Sequence, residues 1–366
     1  MKVLVTDVRY RMSVSLIREL ADAGHTVYTC ESDDATPIGS YSKYVTEHFT
    51  LPSKDYKTSL VKLLEKLDGA ALLPVGASTL ALVASDIEAF SAVAGVCVSG
   101  AKTLELLNDK AALAALARRI GVPTPAEYVG EKKYPCVVKP LCGEKLGLHA
   151  EARYVIARSY EEAEKAVLHF TSLAGEAPIC QEYLSGEGAG CSVAAKNGEV
   201  YACICHKRVR EYPITGGPSS CCITVSDEKL VEYTKKLVKE KNFSGVGMFE
   251  YKKNADGEWK LLECNPRVWG SFPLVRASKS SLAKCWAALA AGIEPLPQSV
   301  KTGKKMNFFP SDVIAGISYA RHGKPGKFFS QIADALNPAV RDGVFELRDM
   351  KPALAYYKSM LKGKGK

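Results

Sequence analysis

Apolar and polar positions change period along the chain, and the change falls near residue 100. Residues 2–7 alternate as a buried strand does, and Val14, Ile17, Leu20 and Ala21 then recur at helical spacing over 13–23 until Gly24 stops the run. Further short strands are predicted at Thr26–Cys30, Ala70–Val75 and Val96–Val98. Strands alternating with helices predict a parallel, doubly wound α/β sheet over residues 1–100. Leu104–Arg119 reads as one helix rich in Ala and Leu, ending at Gly121 before the stiff connector Val122-Pro123-Thr124-Pro125. From residue 135 the pattern becomes α+β: short strands with hairpin turns, broken by helices near 160–174, 227–241 and 278–292.

Length and composition narrow this picture. A chain of 366 residues exceeds one small domain and buries ample core without disulfide or metal staples. The expected division is 1–100, 101–190, 191–300 and a C-terminal extension, 301–366, with a basic tail. Net charge is +9, partly from the lysine-rich tail Lys358 to Lys366; the remainder suits anionic ligands such as nucleotides. No aromatic-interleaved basic stretch or DNA-binding motif appears, so no nucleic acid partner is expected. The start, Met1 to Asp7, lacks the long apolar stretch of a signal peptide. The longest uncharged run, Gly69–Ser85, is broken by Pro74 and Gly76 and falls short of the roughly 20 residues of a membrane span. A cytoplasmic protein without membrane attachment is expected. Twelve cysteines include no CxxC pair, and Cys203-Ile-Cys205 and Cys221-Cys222 do not match a zinc framework. Cys136, Cys191, Cys203 and Cys264 lie in apolar or alternating runs, where a thiol acts as a small hydrophobe. The turn after the first strand, Asp7-Val8-Arg9-Tyr10, has no GxGxxG, which argues against a dinucleotide site.

The most informative chemistry lies between Gly245 and Arg267. Asp256-Gly257 between two strand-like runs predicts a two-residue type I′ hairpin. Ala255 then faces Glu258, and counting back along both strands sets Glu250 across from Glu263 on the same side. Like charges so opposed destabilise a sheet, and a divalent cation compensates, since Mg²⁺ takes one or two carboxylates plus phosphate oxygens. Asn265 and Arg267 follow Glu263 at spacing two and share its face, and a guanidinium there suits a γ-phosphate. A solvent-facing strand pair with scattered charges fits the same residues, and a longer loop would shift the pairing.

Three further segments carry candidate groups. Pro135-Cys-Val-Val-Lys139-Pro140 is an apolar strand ending in lysine, followed by a loop with Gly143 and Gly147; it fits a phosphate cradle or a plain hairpin loop. Ile179–Leu184, followed by Ser185-Gly186-Glu187-Gly188, fits a strand edge that meets an adenine ring or an ordinary edge and turn. His206-Lys207-Arg208-Val209-Arg210, before the pliable Thr215–Ser220, fits an anion clamp or a solvated basic strand. His206 and Cys205 point opposite ways on a strand and make no metal pair.

Taken together and in order, these motifs resemble the ATP-grasp superfamily, particularly its carboxylate-amine ligases and carbamoyl-phosphate-synthase-like members. The matching elements are Asn108-Asp109-Lys110, Val137-Val138-Lys139-Pro140 with its glycine loop, and Gln181-Glu182-Tyr183-Leu184 with Gly186-Glu187-Gly188. Gly245-Val-Gly-Met-Phe-Glu250 and Leu262-Glu263-Cys264-Asn265-Pro266-Arg267 complete the set. The resemblance spans residues 1–300 and implies a Rossmann-like pre-ATP-grasp α/β domain followed by two α+β ATP-grasp subdomains with ATP between them. It implies Lys110 and Lys139 as phosphate contacts, Glu182, Tyr183 and Leu184 as the hinge that meets adenine, and Glu187 as a ribose contact. It implies Glu250, Glu263 and Asn265 as Mg²⁺ ligands, with Mn²⁺ as a substitute, and Arg267 as the γ-phosphate contact. Glu144 and Lys145 depart from the small residues many relatives carry in the glycine loop. The implied activity joins a small-molecule carboxylate, an amino acid or peptide, to an amine through an acyl phosphate, with ADP and phosphate released. Lys139 and Arg267 would offset developing charge, and Arg208 or Arg210 would hold the carboxylate. A homodimer is the expected assembly; a small-molecule phosphotransferase and a nucleotide-binding regulatory protein are the alternatives.

Overall fold

In a computed structural model of the chain, which describes residues 1–141, 146–148, 152–214 and 217–361, the strands form three sheets among those residues. The first contains β1 (Lys2–Val5), β2 (Thr26–Ser32), β3 (Glu47–Leu51), β4 (Ala71–Leu73) and β5 (Gly95–Val96), all parallel in the order β3-β2-β1-β4-β5. Alternation sorts its core: Val3 and Val5 pack with Leu16, Ile17 and Leu20 of helix Arg11–Asp22, while Leu4 packs with Leu60, Leu63 and Leu64 of helix Tyr56–Leu67. A strand buried on both faces reads as a continuous apolar run. The chain reverses its strand order between β1 and β4, so the crevice at their carboxyl ends is the place where an open α/β sheet meets ligands.

The expected single helix over 104–119 is two. Helix Ala101–Asn108 ends at Asp109, whose backbone is extended (φ −80°, ψ 119°) and whose Oδ1 accepts from Ala112 N at 2.7 Å to start helix Lys110–Arg119. An aspartate that satisfies an orphan N–H stabilises a helix start by about 1 kcal/mol. The break places Lys110 in a first helical turn.

The second sheet is antiparallel, β7-β6-β8, from β6 (Cys136–Lys139), β7 (Val155–Ala157) and β8 (Ile179–Glu182). Helix Tyr160–Ala174 covers it through Ala163, Ala166 and Phe170. The third sheet holds β9 (Gly188–Lys196), β10 (Glu199–Glu211), β11 (Ser219–Val225), β12 (Gly245–Lys253), β13 (Trp259–Asn265), β14 (Lys305–Asn307) and β15 (Arg341–Asp342). Their order is β13-β12-β9-β10-β11-β14-β15, antiparallel except for the final pair. Helix Glu228–Glu240 covers one face and helix Leu282–Ala290, with buried Trp286, part of the other. The last sixty residues add helices Ser311–Arg321 and Pro325–Leu336 beside β10. The chain then returns to the first sheet, where Arg18 donates to Asp349 Oδ2 (2.9 Å) and Val344 O (2.8 Å). Cys136, Cys191 and Cys264 are buried free thiols within this core. Among the described residues no helix is long and apolar enough to cross a membrane.

Candidate active site

The β12–β13 hairpin positions the two carboxylates, by a route the sequence did not predict. Its loop has three residues, Ala255-Asp256-Gly257, not two: Asn254 N donates to Glu258 O at 3.0 Å, and Gly257 N donates to Asn254 O at 3.2 Å. Gly257 adopts φ +82°, and Asn254 Oδ1 accepts from the amides of Asp256 (3.0 Å) and Glu258 (2.9 Å). That loop alone would slide the register by one residue. An extra residue in β13, Leu262, slides it back: Tyr251 pairs with Leu261, but Glu250 pairs with Glu263. Met248 pairs with Asn265, so Glu250, Glu263 and Asn265 project from one side. Leu262, the bulged residue, itself lines the cleft described below.

The row of side chains continues across the sheet. Gly190 on β9 lies between Glu250 and His206 of β10, and Gly188 lies under Arg208. A Cβ at Gly190 would stand 2.5 Å from His206 Cε1, and one at Gly188 would stand 3.1 Å from Arg208 Cδ. The bare backbone of β9 lets Arg208 cross above it and pair with Glu250. Arg208 Nη1 also reaches Gly217 O (3.1 Å) and Glu211 Oε2 (3.4 Å), while Lys110 Nζ stands 3.6 Å from Glu263 Oε2.

Charge separates the two carboxylates. Burial raises the pKa of Glu250 and Glu263 raises it further, while Arg208 opposes both. Burial also pushes Glu263 upward, but Lys110, Lys139 and Arg208 together outweigh it and hold Glu263 low; its side chain faces the cleft, 38% exposed. Lys139 is brought down to about 8 by burial and by Lys110, with Glu263 working the other way. Burial and Arg208 lower His206 to about 3, so its imidazole is neutral. Titratable groups driven apart by their surroundings mark functional sites more often than structural ones.

A cleft of about 1900 Å³ lies between the sheets, and His206 is buried behind its wall. Lys110, Lys139, Arg208, Glu250, Glu263, Asn265 and Arg267 line it, and so do Glu182, Tyr183, Leu184 and Glu187. Val137, Ile156, Leu184 and Leu262 form an apolar stretch of the wall. The Glu182 carboxylate is turned away to accept from Ala126 N (3.1 Å), and Lys252 Nζ lies 5.5 Å from the Tyr183 ring centroid. Glu187 holds Lys207 (2.9 Å) and Lys253 (3.6 Å). Gly147, exposed at φ +63°, does not reach the cleft wall, and Gly143 lies outside the described residues. Among the described residues no group of three His, Cys, Asp or Glu side chains gathers.

Arg210 requires a revision. Simple alternation puts it beside Arg208, but Val209 is an extra residue in β10: Arg208 pairs with Cys222, and Arg210 pairs with the adjacent Cys221. Arg210 therefore points the other way. It is 1% exposed, donating to Asp312 Oδ1 (2.9 Å) and Oδ2 (2.8 Å) and standing 2.8 Å from Asp334 Oδ2. With its donors so engaged, it anchors the 311–336 helices at the cleft wall, which it also lines. Those helices bring in residues that sequence reasoning missed: Tyr319, Lys324 and Lys327 line the cleft, as do Ala77 and Ser78 from the start of the helix that follows β4.

A family described as "ATP-grasp in the biosynthetic pathway with Ter operon" matches residues 176–309. No curated protein matches the chain in sequence. Solved structures match it in fold. The biotin carboxylase domain of 2-oxoglutarate carboxylase from Hydrogenobacter thermophilus superposes with a TM-score of 0.62 and 18% identity, over 83% of this chain and 73% of that one. The chain has the ATP-grasp fold. The L-amino acid ligase of Bacillus licheniformis shares that fold with a TM-score of 0.58 at 15% identity, over 81% of this chain and 75% of that one. N5-carboxyaminoimidazole ribonucleotide synthetase shares it with a TM-score of 0.63 at 13% identity, over 88% and 84%. The segment matched by the family model contains β9 to β14, and therefore Arg208, both carboxylates, Asn265 and Arg267.

Proposed function

We propose that this chain is an ADP-forming ligase that uses Mg²⁺ and ATP to activate a carboxylate and join it to an amine. The observation that carries this reading is Glu250 facing Glu263, with Asn265 on the next rung, in a cleft where Lys110, Lys139, Arg208 and Arg267 converge. Two opposed carboxylates and an amide oxygen, with no group of three His, Cys, Asp or Glu side chains gathered among the described residues, are a poor set for zinc. They suit Mg²⁺ or Mn²⁺, which leaves most of its shell to phosphate and water. Bound there, such a cation supplies charge neutralisation and a fixed phosphate geometry. Similar structures point the same way: one is a biotin carboxylase complex with MgADP, another an L-amino acid ligase.

The chain's own groups then divide the work. The apolar wall of Val137, Ile156, Leu184 and Leu262 takes the adenine beside the backbone of residues 182–184. Glu187 stands at the ribose edge. Lys110 and Lys139 meet phosphate oxygens, and Arg267 meets the γ-phosphate. Arg208, with Tyr319, Lys324 and Lys327 beyond it, receives the carboxylate. A carboxylate oxygen attacks the γ-phosphorus as the bond to ADP breaks, giving an acyl phosphate. The amine nitrogen then attacks the acyl carbon, phosphate departs with the bonding pair, and the nitrogen gives up a proton. Positioning and charge neutralisation supply the rate, as in phosphoryl transfer generally. The substrates are small molecules, an amino acid or peptide supplying the carboxylate, and the working division of the chain is at residues 100, 190 and 300.

The test incubates the protein with Mg²⁺, ATP, a pool of amino acids and hydroxylamine. ADP and hydroxamate appearing together support an acyl phosphate. ADP with phosphate retained on the substrate makes the chain a phosphotransferase. ATP binding without either product refutes the ligase reading for that pool and favours a regulatory nucleotide-binding protein.

A further inference from the structure

Glu250 is already engaged. The oxygen that a divalent cation would need at about 2.0–2.1 Å is held by the Arg208 guanidinium, brought across β9 by the gap at Gly188. Arg208 has a second berth, since its Nη1 lies beside Glu211 Oε2 (3.4 Å) and Gly217 O (3.1 Å), away from the carboxylate pair. Lys110, Lys139 and Arg208 stand among Glu250, Glu263 and Glu211, so fixed cations already balance the carboxylates and the pocket offers a bare divalent ion little net attraction. It accepts one readily when phosphates arrive with it.

We propose that Arg208 is a resident counter-ion of Glu250 which the divalent cation displaces, moving the guanidinium toward Glu211 and Gly217. This rests on the metal assignment made above and adds an order to it: metal and nucleotide enter first, and the released guanidinium then faces the substrate end of the cleft. Arg208 is thus a positioning residue that keeps two opposed carboxylates apart until they are used.

The experiment titrates Mn²⁺ into the full chain, with and without ADP, and reads free Mn²⁺ by electron paramagnetic resonance. Without nucleotide, Arg208→Gln should bind Mn²⁺ about tenfold more tightly than the wild type, the scale of one charge-assisted hydrogen bond that no longer has to break. Arg208→Lys, which keeps the charge, should stay within about twofold of wild type. Glu211→Gln removes the second berth and should weaken Mn²⁺ binding about threefold, a check that survives if Arg208→Gln fails to fold. Equal or weaker Mn²⁺ binding by folded Arg208→Gln overturns the exchange, as does an unchanged affinity in Glu211→Gln. Failure of Mn²⁺ with ADP to bind any of the proteins sinks the metal assignment as well, whereas hydroxamate formation reports on the ligase reading independently.

Discussion

Removing Arg210 tests whether the wall beside the substrate end is held by a buried charge cluster. Arg210 and Lys305 balance Asp312 and Asp334: Arg210 reaches both aspartates, and Lys305 Nζ stands 2.7 Å from Asp334 Oδ1. In Arg210→Met, Asp334 keeps its lysine, but Asp312, 1% exposed, keeps only the Ser220 hydroxyl at 2.9 Å among the side-chain donors. One carboxylate is left buried without a counter-ion, a loss of about 3–5 kcal/mol. Arg210→Met combined with Asp312→Asn removes that orphan charge and should recover at least half of the loss, because deleting both partners of a buried pair costs far less than deleting one. Urea unfolding followed by circular dichroism reads both, as a shift of midpoint at constant slope. A loss under about 1 kcal/mol, or a double variant no better than the single one, refutes the cluster's role. A raised KM with an unmoved midpoint would return Arg210 to substrate binding.

Other outcomes follow from the same geometry. Glu263→Gln should cut ADP formation at least about a hundredfold while leaving the unfolding midpoint within about 1 kcal/mol, since it also removes a like-charge opposition; unchanged turnover removes Glu263 from the metal site. Lys139, brought to about 8 by burial and Lys110, is cationic below that pH and loses its charge above it. Calorimetric affinity for Mg²⁺ with ADP should therefore be level below pH 7 and fall between pH 8 and 9.5. Lys139→Met should abolish that fall and weaken binding at pH 7 about tenfold; an affinity that rises through the window contradicts the assignment. Gly190→Ala puts a methyl 2.5 Å from the buried His206 ring and should destabilise the protein by about 1–3 kcal/mol, readable in the same urea experiment. An unmoved midpoint would mean that the ring has somewhere to go.

How far the chain could be read depended on whether a feature was periodic or singular. The parallel sheet was legible because β1 is buried on both faces by two helices, and burial on both faces leaves a continuous apolar signature. The break at Asp109 was not, since one N-capping side chain is invisible inside an Ala- and Leu-rich run. Tyr319, Lys324 and Lys327 carry no local signal at all; a tertiary anchor more than a hundred residues upstream in sequence, Arg210, sets them beside the cleft. The decisive errors were both of one residue. Counting by twos from an Asp-Gly turn assumed a two-residue loop and strands without irregularities. The loop has three residues and β13 carries one extra, so the two departures cancel and Glu250 still meets Glu263. In β10 the extra Val209 is offset only past Arg210, where an extra residue in β11 lets Glu211 pair with Ser219, so Arg208 and Arg210, two apart in sequence, go to opposite faces: one to the carboxylates, one to the buried aspartates. Extra residues re-aim side chains beside active sites, and here they do so on two strands of the same cleft. Period-two counting therefore loses its hold at the very strands where the chemistry is placed, while the residue types it picks out there, Glu250, Glu263 and Arg208, still converge in the cleft.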